Sequence, residues 1–300
     1  MQARKKLSLF FCFILYMVAT FSFFGNKLPH FFTTEDKEIF FSFCNSFSTE
    51  KSLEQKEIFH SCVSDCPPSA QKNEVWNVEN VDTSRIDRSR RLIAFTFDDA
   101  PSNRLEELVA VFLNYNATHP DAPASATLFC NGCRIHRPID TALHAAVTAG
   151  FELGNHTQNH KKLTTLSWEE LRKELDTTDE RLSHYDGQSR HLFRAPYGEV
   201  NADVCSAVNA PVIDWFIDTL DWTGIPAEEI YDRVWKSKGS GVIVLMHDGY
   251  ENTLTALKRL LPDLYEAGYQ AVTVSQMAKA HACNLKCGAV YTRARKNTHR

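Results

Sequence analysis

From about Arg91 onward the sequence predicts a parallel α/β fold, an open sheet or one closed into a barrel. Three observations carry that expectation. Short apolar runs of strand length alternate about seven times with segments of helical period. Glycines and prolines punctuate the joints. Ionisable side chains gather directly after the apolar runs, at the C-terminal ends of strands, where α/β folds build their sites.

Taken in order, the chain begins with Arg4, Lys5 and Lys6 ahead of an uncharged run from Leu7 to Gly25. A basic segment before an apolar stretch of nearly membrane-spanning length reads as an uncleaved anchor or a signal peptide. Ala19 to Ser22 matches a cleavage site poorly, which favours the anchor. With the basic residues on the cytoplasmic side, either reading exports the body. Residues 27–90 read as a stalk. Phe31, Phe32, Phe40, Phe41 and Phe43 suit a membrane interface, and the stretch around Pro67 suits a linker.

Strands are expected at Leu92–Phe97, Ser125–Phe129, Phe151–Gly154, His191–Arg194, Val212–Ile217, Val242–Met246 and Ala271–Val274. Between them, Arg104 to Asn116 sets Leu105, Leu108, Val109, Phe112 and Leu113 on one helical stripe. Ser167 to Tyr185 opens with the capping-box pair Ser167 and Glu170. Pro226 starts a third helix, to Lys236, and Asn252 to Ala267 repeats leucine at helical spacing. Gly150 and Gly268 stand where helices end.

Five polar constellations follow the predicted strands. The first is Asp98-Asp99, two acids closing a buried run, whose mutual repulsion a cation or a shared proton would relieve. The second, His156-Thr157-Gln158-Asn159-His160, points both imidazoles one way if it forms a helical turn. Two histidines and a carboxylate make a ligand set for a catalytic divalent ion, and spacing leaves open which of the two acids joins it. Arg194-Ala195-Pro196-Tyr197 offers a cation to orient an acid. Asp218-Thr219-Leu220-Asp221-Trp222 and His247-Asp248 complete the set. A histidine at the end of a buried strand suits general-acid work, with Asp218, Asp221 or Asp248 as the partner that keeps it protonated. Trp222 and Tyr197 offer faces to a sugar ring, whereas Trp215 alternates with Ile213 and is assigned to the core.

A net charge of −4 gives no footprint for nucleic acid. Basic residues without acids, Lys286, Arg293, Arg295, Lys296 and Arg300, mark residues 281–300 as a solvated tail. Outside the apolar leader stand eight cysteines, Cys44, Cys62, Cys66, Cys130, Cys133, Cys205, Cys283 and Cys287. In an exported chain they read as disulfide partners of undetermined pairing, since no pair of doublets has zinc-ribbon spacing.

FDDAP, HTQNH, RAPY, DTLDW and LMHD, in this order, resemble the five motifs of the polysaccharide deacetylase family (NodB homology, carbohydrate esterase family 4). The departure is Ala100, where the family mostly carries glycine and where a methyl could strain the turn or narrow the site. The resemblance spans roughly Arg91 to Ala280. It implies a deformed (β/α) barrel of seven or fewer strands, in line with the seven runs counted. It further implies that Asp99, His156 and His160 bind a divalent metal, zinc or another such as cobalt. Asp98 would then be the general base and His247 the general acid. Arg194 would orient Asp98, and Asp218 and Asp221 would support Arg194 and the charge of His247. The Tyr197 backbone would help hold the oxyanion, and Leu245 would line the acetyl-methyl pocket.

The expectation is therefore a membrane anchor or signal over 1–26, a stalk over 27–90, a catalytic domain over 91–280 and a basic tail. The activity expected is N-deacetylation of amino sugars in a peptidoglycan-like or chitin-like glycan. An O-acetyl esterase acting on xylan-type chains would share the metal triad. A non-catalytic glycan-binding anchor would not need the complete acid–base set, and an iron oxygenase would leave Asp98, Arg194 and His247 unexplained. The sequence does not set the oligomeric state.

Overall fold

The computed structural model describes residues 74–295. Its centre is β1 (Arg91–Ala100), apolar on both faces, as a strand covered on both sides must be. It pairs in parallel with β7 (Val242–His247) and β2 (Thr127–Cys130), and its first three residues pair with β8 (Tyr269–Ala271). Beyond β2 come β3 (Glu152–Asn155), β4 (Leu192–Phe193), β5 (Val212–Ile213) and β9 (Val290–Tyr291), while β6 (Ile217–Asp218) flanks β7. Among the described residues every pairing between these strands is parallel. The sheet curls without a β5–β6 rung, which makes it an open barrel.

Seven helices cover the strands among the described residues: α1 (Leu105–Thr118), α2 (Arg137–Thr148), α3 (Trp168–Asp186), α4 (Ala202–Ala207), α5 (Ala227–Ser237), α6 (Glu251–Glu266) and α7 (Val274–Ala280). The expected capping box of Ser167 and Glu170 opens α3, and left-handed Gly187 closes it. Along β1, Ile93, Phe95 and Phe97 pack outward with Leu108, Phe112 and Leu257 of the helices. Leu92 and Ala94 face inward with Phe129, Ile243 and Leu285. The period of two therefore turns Thr96 and Asp98 into the barrel.

Three expectations change. The run Val212–Ile217 is two strands, β5 and β6, at opposite sides of the open seam. Asp214 and Phe216 cross between them, donating their backbone N–H groups to Tyr291 and Ile243. The run Ala271–Val274 is mostly not strand, because Thr273 caps α7 there. The α4 and α7 segments were not foreseen, and of α2 only its end at Gly150 was.

The folded unit also exceeds 91–280 at both ends. Trp76 N–H donates to the Leu285 carbonyl, and Glu74 pairs with Arg190 at 2.8 Å. The segment 281–295 is no solvated tail: it supplies β9, and Leu285, Cys287 and Ala294 are buried. None of the expected disulfides joins the five described cysteines, Cys130, Cys133, Cys205, Cys283 and Cys287, to one another, and Cys130, Cys133, Cys283 and Cys287 are free thiols. The anchor over 1–26, the phenylalanine-rich stretch and the linker at Pro67 lie outside the described residues. Among the described residues no helix is long and apolar enough to cross a membrane.

Candidate active site

Adjacent residues on a strand face opposite ways, so both Asp98 and Asp99 can serve one site only if the strand breaks. It breaks at Asp99, whose φ is 60°, where the β1–β2 register shifts between Phe97 and Ala100. Ala100 itself avoids the left-handed region, and its methyl packs in the core. The alanine thus neither strains the turn nor narrows the site.

Asp98 is buried against Arg194, whose Nη1 donates to Oδ1 at 2.7 Å and to Thr96 Oγ1 at 2.7 Å. The remaining guanidinium donors reach the carbonyl of Ile213, the last residue of β5, at 2.8 Å and that of Asp214, on the segment crossing to β6, at 3.2 Å. Among the described hydrogen bonds none joins Arg194 to Asp218 or Asp221, so that expected support comes from carbonyls instead. The guanidinium plane lies 4.2 Å from the Phe129 ring, and Trp215 stands 5.7 Å away. Trp215 is half-buried and not a core residue. It leans on Gly198, where a Cβ would come within 2.8 Å of the ring. Burial works against the Asp98 charge, yet Arg194, His156 and His247 outweigh it and hold the carboxyl below its ordinary range.

Asp99 Oδ1 is buried with no hydrogen-bond donor. His160 Nε2 lies 3.5 Å from it and His156 Nε2 lies 3.9 Å from it, and the ligand atoms of the three residues fall within 4.8 Å of one another. Tetrahedral bonds of about 2.1 Å separate ligand atoms by roughly 3.4 Å, so the orphaned oxygen and two imidazoles fit a divalent ion. His156 Nδ1 is turned to the Arg194 carbonyl at 2.8 Å, which leaves Nε2 free to ligate. Burial, outweighing the neighbouring carboxylates, pushes the His156 pKa down, toward the neutral imidazole that ligates a metal.

The two histidines do not share a helical turn, contrary to the spacing argument. Thr157 and His160 have φ of 70° and 54°, and the segment is a loop held from below. Asn155 Oδ1 accepts the Thr157 N–H, and Thr157 Oγ1 accepts that of His160. Buried Glu174 of α3 takes the Asn159 N–H at 2.7 Å and its amide at 2.8 Å. Glu174 was missed in the sequence. It stands on the same helical stripe as Leu171, Leu175 and Leu182, and a carboxylate on that apolar stripe was the signal that could have found it.

His247 ends β7, with Nδ1 2.8 Å from Asp221 Oδ1, while Asp221 Oδ2 accepts the His247 N–H and the Thr253 hydroxyl. Burial would lower the imidazole's pKa, but these carboxylate contacts raise it. Of the three acids considered as partner, Asp221 is the one. Asp248 turns away to the Ser102 N–H, and Asp218 caps its own turn at Leu220. Tyr197, with φ of 62°, sets its exposed ring edge-on to His160, and Trp222 is exposed nearby in sequence to Asp221. Tyr250, also unforeseen, sets its ring edge-on to His247. Leu245 is buried in β7, in register with Thr96.

The mouth thus brings a ligand triad, a buried carboxylate and a carboxylate-bound imidazole together. The family profile described as polysaccharide deacetylase matches residues 85–211. Peptidoglycan-N-acetylmuramic acid deacetylase PdaC of Bacillus subtilis is 32% identical over 206 residues, covering 69% of this chain and 42% of PdaC. The solved PdaC structure covers 65% of this chain and 93% of the solved chain, with a TM-score of 0.59 and 31% identity. A peptidoglycan-N-acetylglucosamine deacetylase of Bacillus cereus is 31% identical over 205 residues, covering 66% of this chain and 92% of that relative. An acetyl xylan esterase of Clostridium thermocellum, solved in complex with a cobalt ion, is 25% identical with a TM-score of 0.61, covering 68% and 98%. The chain spans less than half the length of PdaC.

Proposed function

The chain belongs to the polysaccharide deacetylase family, and on that premise we propose that it is a metal-dependent hydrolase removing N-acetyl groups from amino sugars of a polysaccharide, peptidoglycan foremost. The observation that carries the reading is the separation of the two acids. Asp99 faces two imidazoles with an unpaired oxygen, while Asp98 is ionised, buried and clamped through one oxygen by Arg194.

Asp99, His156 and His160 would hold the divalent ion, zinc or one such as cobalt. An ion there supplies Lewis acidity, acidifying a water and polarising the acetyl carbonyl. With Oδ1 committed to Arg194, Asp98 takes the proton of the attacking water at Oδ2, which lies 3.7 Å from His156 Nε2. The Asp221 carboxylate favours the protonated form of His247 against its burial, so the ring can give a proton to the departing amine. The Tyr197 N–H stabilises the oxyanion. Leu245 meets the acetyl methyl, and Trp222 and Tyr197 lie against the sugar. Asp218 shapes the turn that presents Asp221.

The names of the bacterial relatives support peptidoglycan over a chitin-like chain. The basic triplet and apolar run at the N-terminus support export and attachment to a membrane by residues 1–26. The test is acetate release from peptidoglycan, chitooligosaccharides and acetylxylan, with chelator and with zinc or cobalt added back. Chelator-sensitive release from the N-acetylated glycans is expected. Release from acetylxylan alone, or none from any glycan, would overturn the proposal.

A further inference from the structure

Beside the ligand triad opens a cavity of about 430 Å³, walled by Arg104, Arg134 and His136 with Ser102 and Asn103, and its lining contains no acid. It abuts the site directly, since Arg134 Nη2 stands 3.8 Å from Asp99 Oδ2. Asp99 is the one acid ion-paired with Arg134 among the described residues, and in the reading above its charge is given to the metal ion. Arg104 pairs with Glu107 at 3.1 Å and Glu251 at 3.6 Å, both largely exposed, so these contacts hold the guanidinium weakly. The guanidinium of Arg134 is itself about half exposed and open to a ligand. Two planar forks and an imidazole around one hollow form a receptor for a carboxylate. A neutral amino-sugar chain would add no carboxylate to those of Asp99, Glu107 and Glu251.

We propose that this cavity is an anion subsite that binds a carboxylate carried by the glycan close to the reacting sugar. The carboxylate is either an acidic substituent of a sugar or belongs to a peptide attached to it. The inference rests on the deacetylase reading and deepens it: it makes Arg134 and Arg104 the residues that favour an acidic glycan over a neutral one. Arg134 reaches from the triad into the hollow, so it couples recognition of the charge to placement of the acetamide.

The test measures kcat/KM for acetate release, and binding by calorimetry, on three N-acetylated oligosaccharides of equal length. One is neutral, one bears a free carboxylate on a sugar substituent, and one has that group capped by a short acidic peptide. The metal-loaded wild type is compared with Arg134→Gln and Arg134→Lys. The wild type is expected to prefer a carboxylated chain, and whichever of the two it prefers identifies the source of the anion. Arg134→Gln should reduce that preference roughly fivefold, Arg134→Lys should retain part of it, and added salt should erode it. An equal preference in wild type and Arg134→Gln, or none in the wild type, would overturn the proposal. Absence of acetate from every chain would count against the deacetylase reading, and the binding ratios would still decide the subsite.

Discussion

Asp98 and Asp99 differ by one position and meet opposite surroundings. The identities of the acids, histidines and arginine were legible in the sequence, because such side chains crowd strand ends only where chemistry needs them. The division of labour proposed for them came only from family resemblance, because the geometry behind it depends on a backbone angle, φ of 60° at Asp99, that residue type does not announce. The same holds for His247. Three acids lay within reach on paper, and the fold selects Asp221, whose two oxygens take the ring, its own backbone N–H and Thr253. A general acid must be protonated, so activity falls as pH rises through its pKa. Asp221 raises that pKa and carries activity to higher pH. Asp221→Asn should therefore move the alkaline limb of kcat/KM to lower pH and cut kcat by roughly 10²-fold, as a pH–rate profile would record. An unmoved alkaline limb would remove Asp221 from that role.

Among the elements, β1 was the most legible, because a strand buried on both faces is a continuous apolar run. The loop from His156 to His160 was the least, because spacing of four fits a helical turn equally well. What decides is α3, from which buried Glu174 clamps Asn159, the residue before His160. A loop with two left-handed residues holds its shape only if something holds it, so in the proposed reading Glu174 acts on the metal site through position. Glu174→Ala should weaken zinc binding by roughly 10- to 100-fold in calorimetry while the circular dichroism of the fold persists. Unchanged zinc affinity would make Glu174 a packing residue only.

In the molecule as a whole, strand–helix alternation foretold the parallel architecture, but the wrapping of both ends was invisible. Residues 74–90 and 281–295 carry no period, and a basic composition concealed the burial of Leu285 and Ala294. Also hidden was His191, buried between Asp179 and Asp186 at 2.9 and 3.2 Å, which ties the start of β4 to α3. Burial disfavours its charge, but the hydrogen bonds of both carboxylates outweigh it and push its pKa up to about 9. A folded pKa above the unfolded value stabilises fully below about pH 6.5, and that stability is lost as pH rises through about 9. The shift corresponds to about 3 kcal/mol, so denaturant midpoints should fall between pH 6.5 and 9.5, and His191→Gln should flatten that fall.

The central claim, that one acid ligates while its neighbour acts as base, is tested most directly by acetate release from Asp98→Asn protein whose bound zinc has been quantified. Zinc content matching wild type with acetate release lower by roughly 10²- to 10⁴-fold is the predicted result. Full activity in that variant, or loss of its zinc, would contradict it.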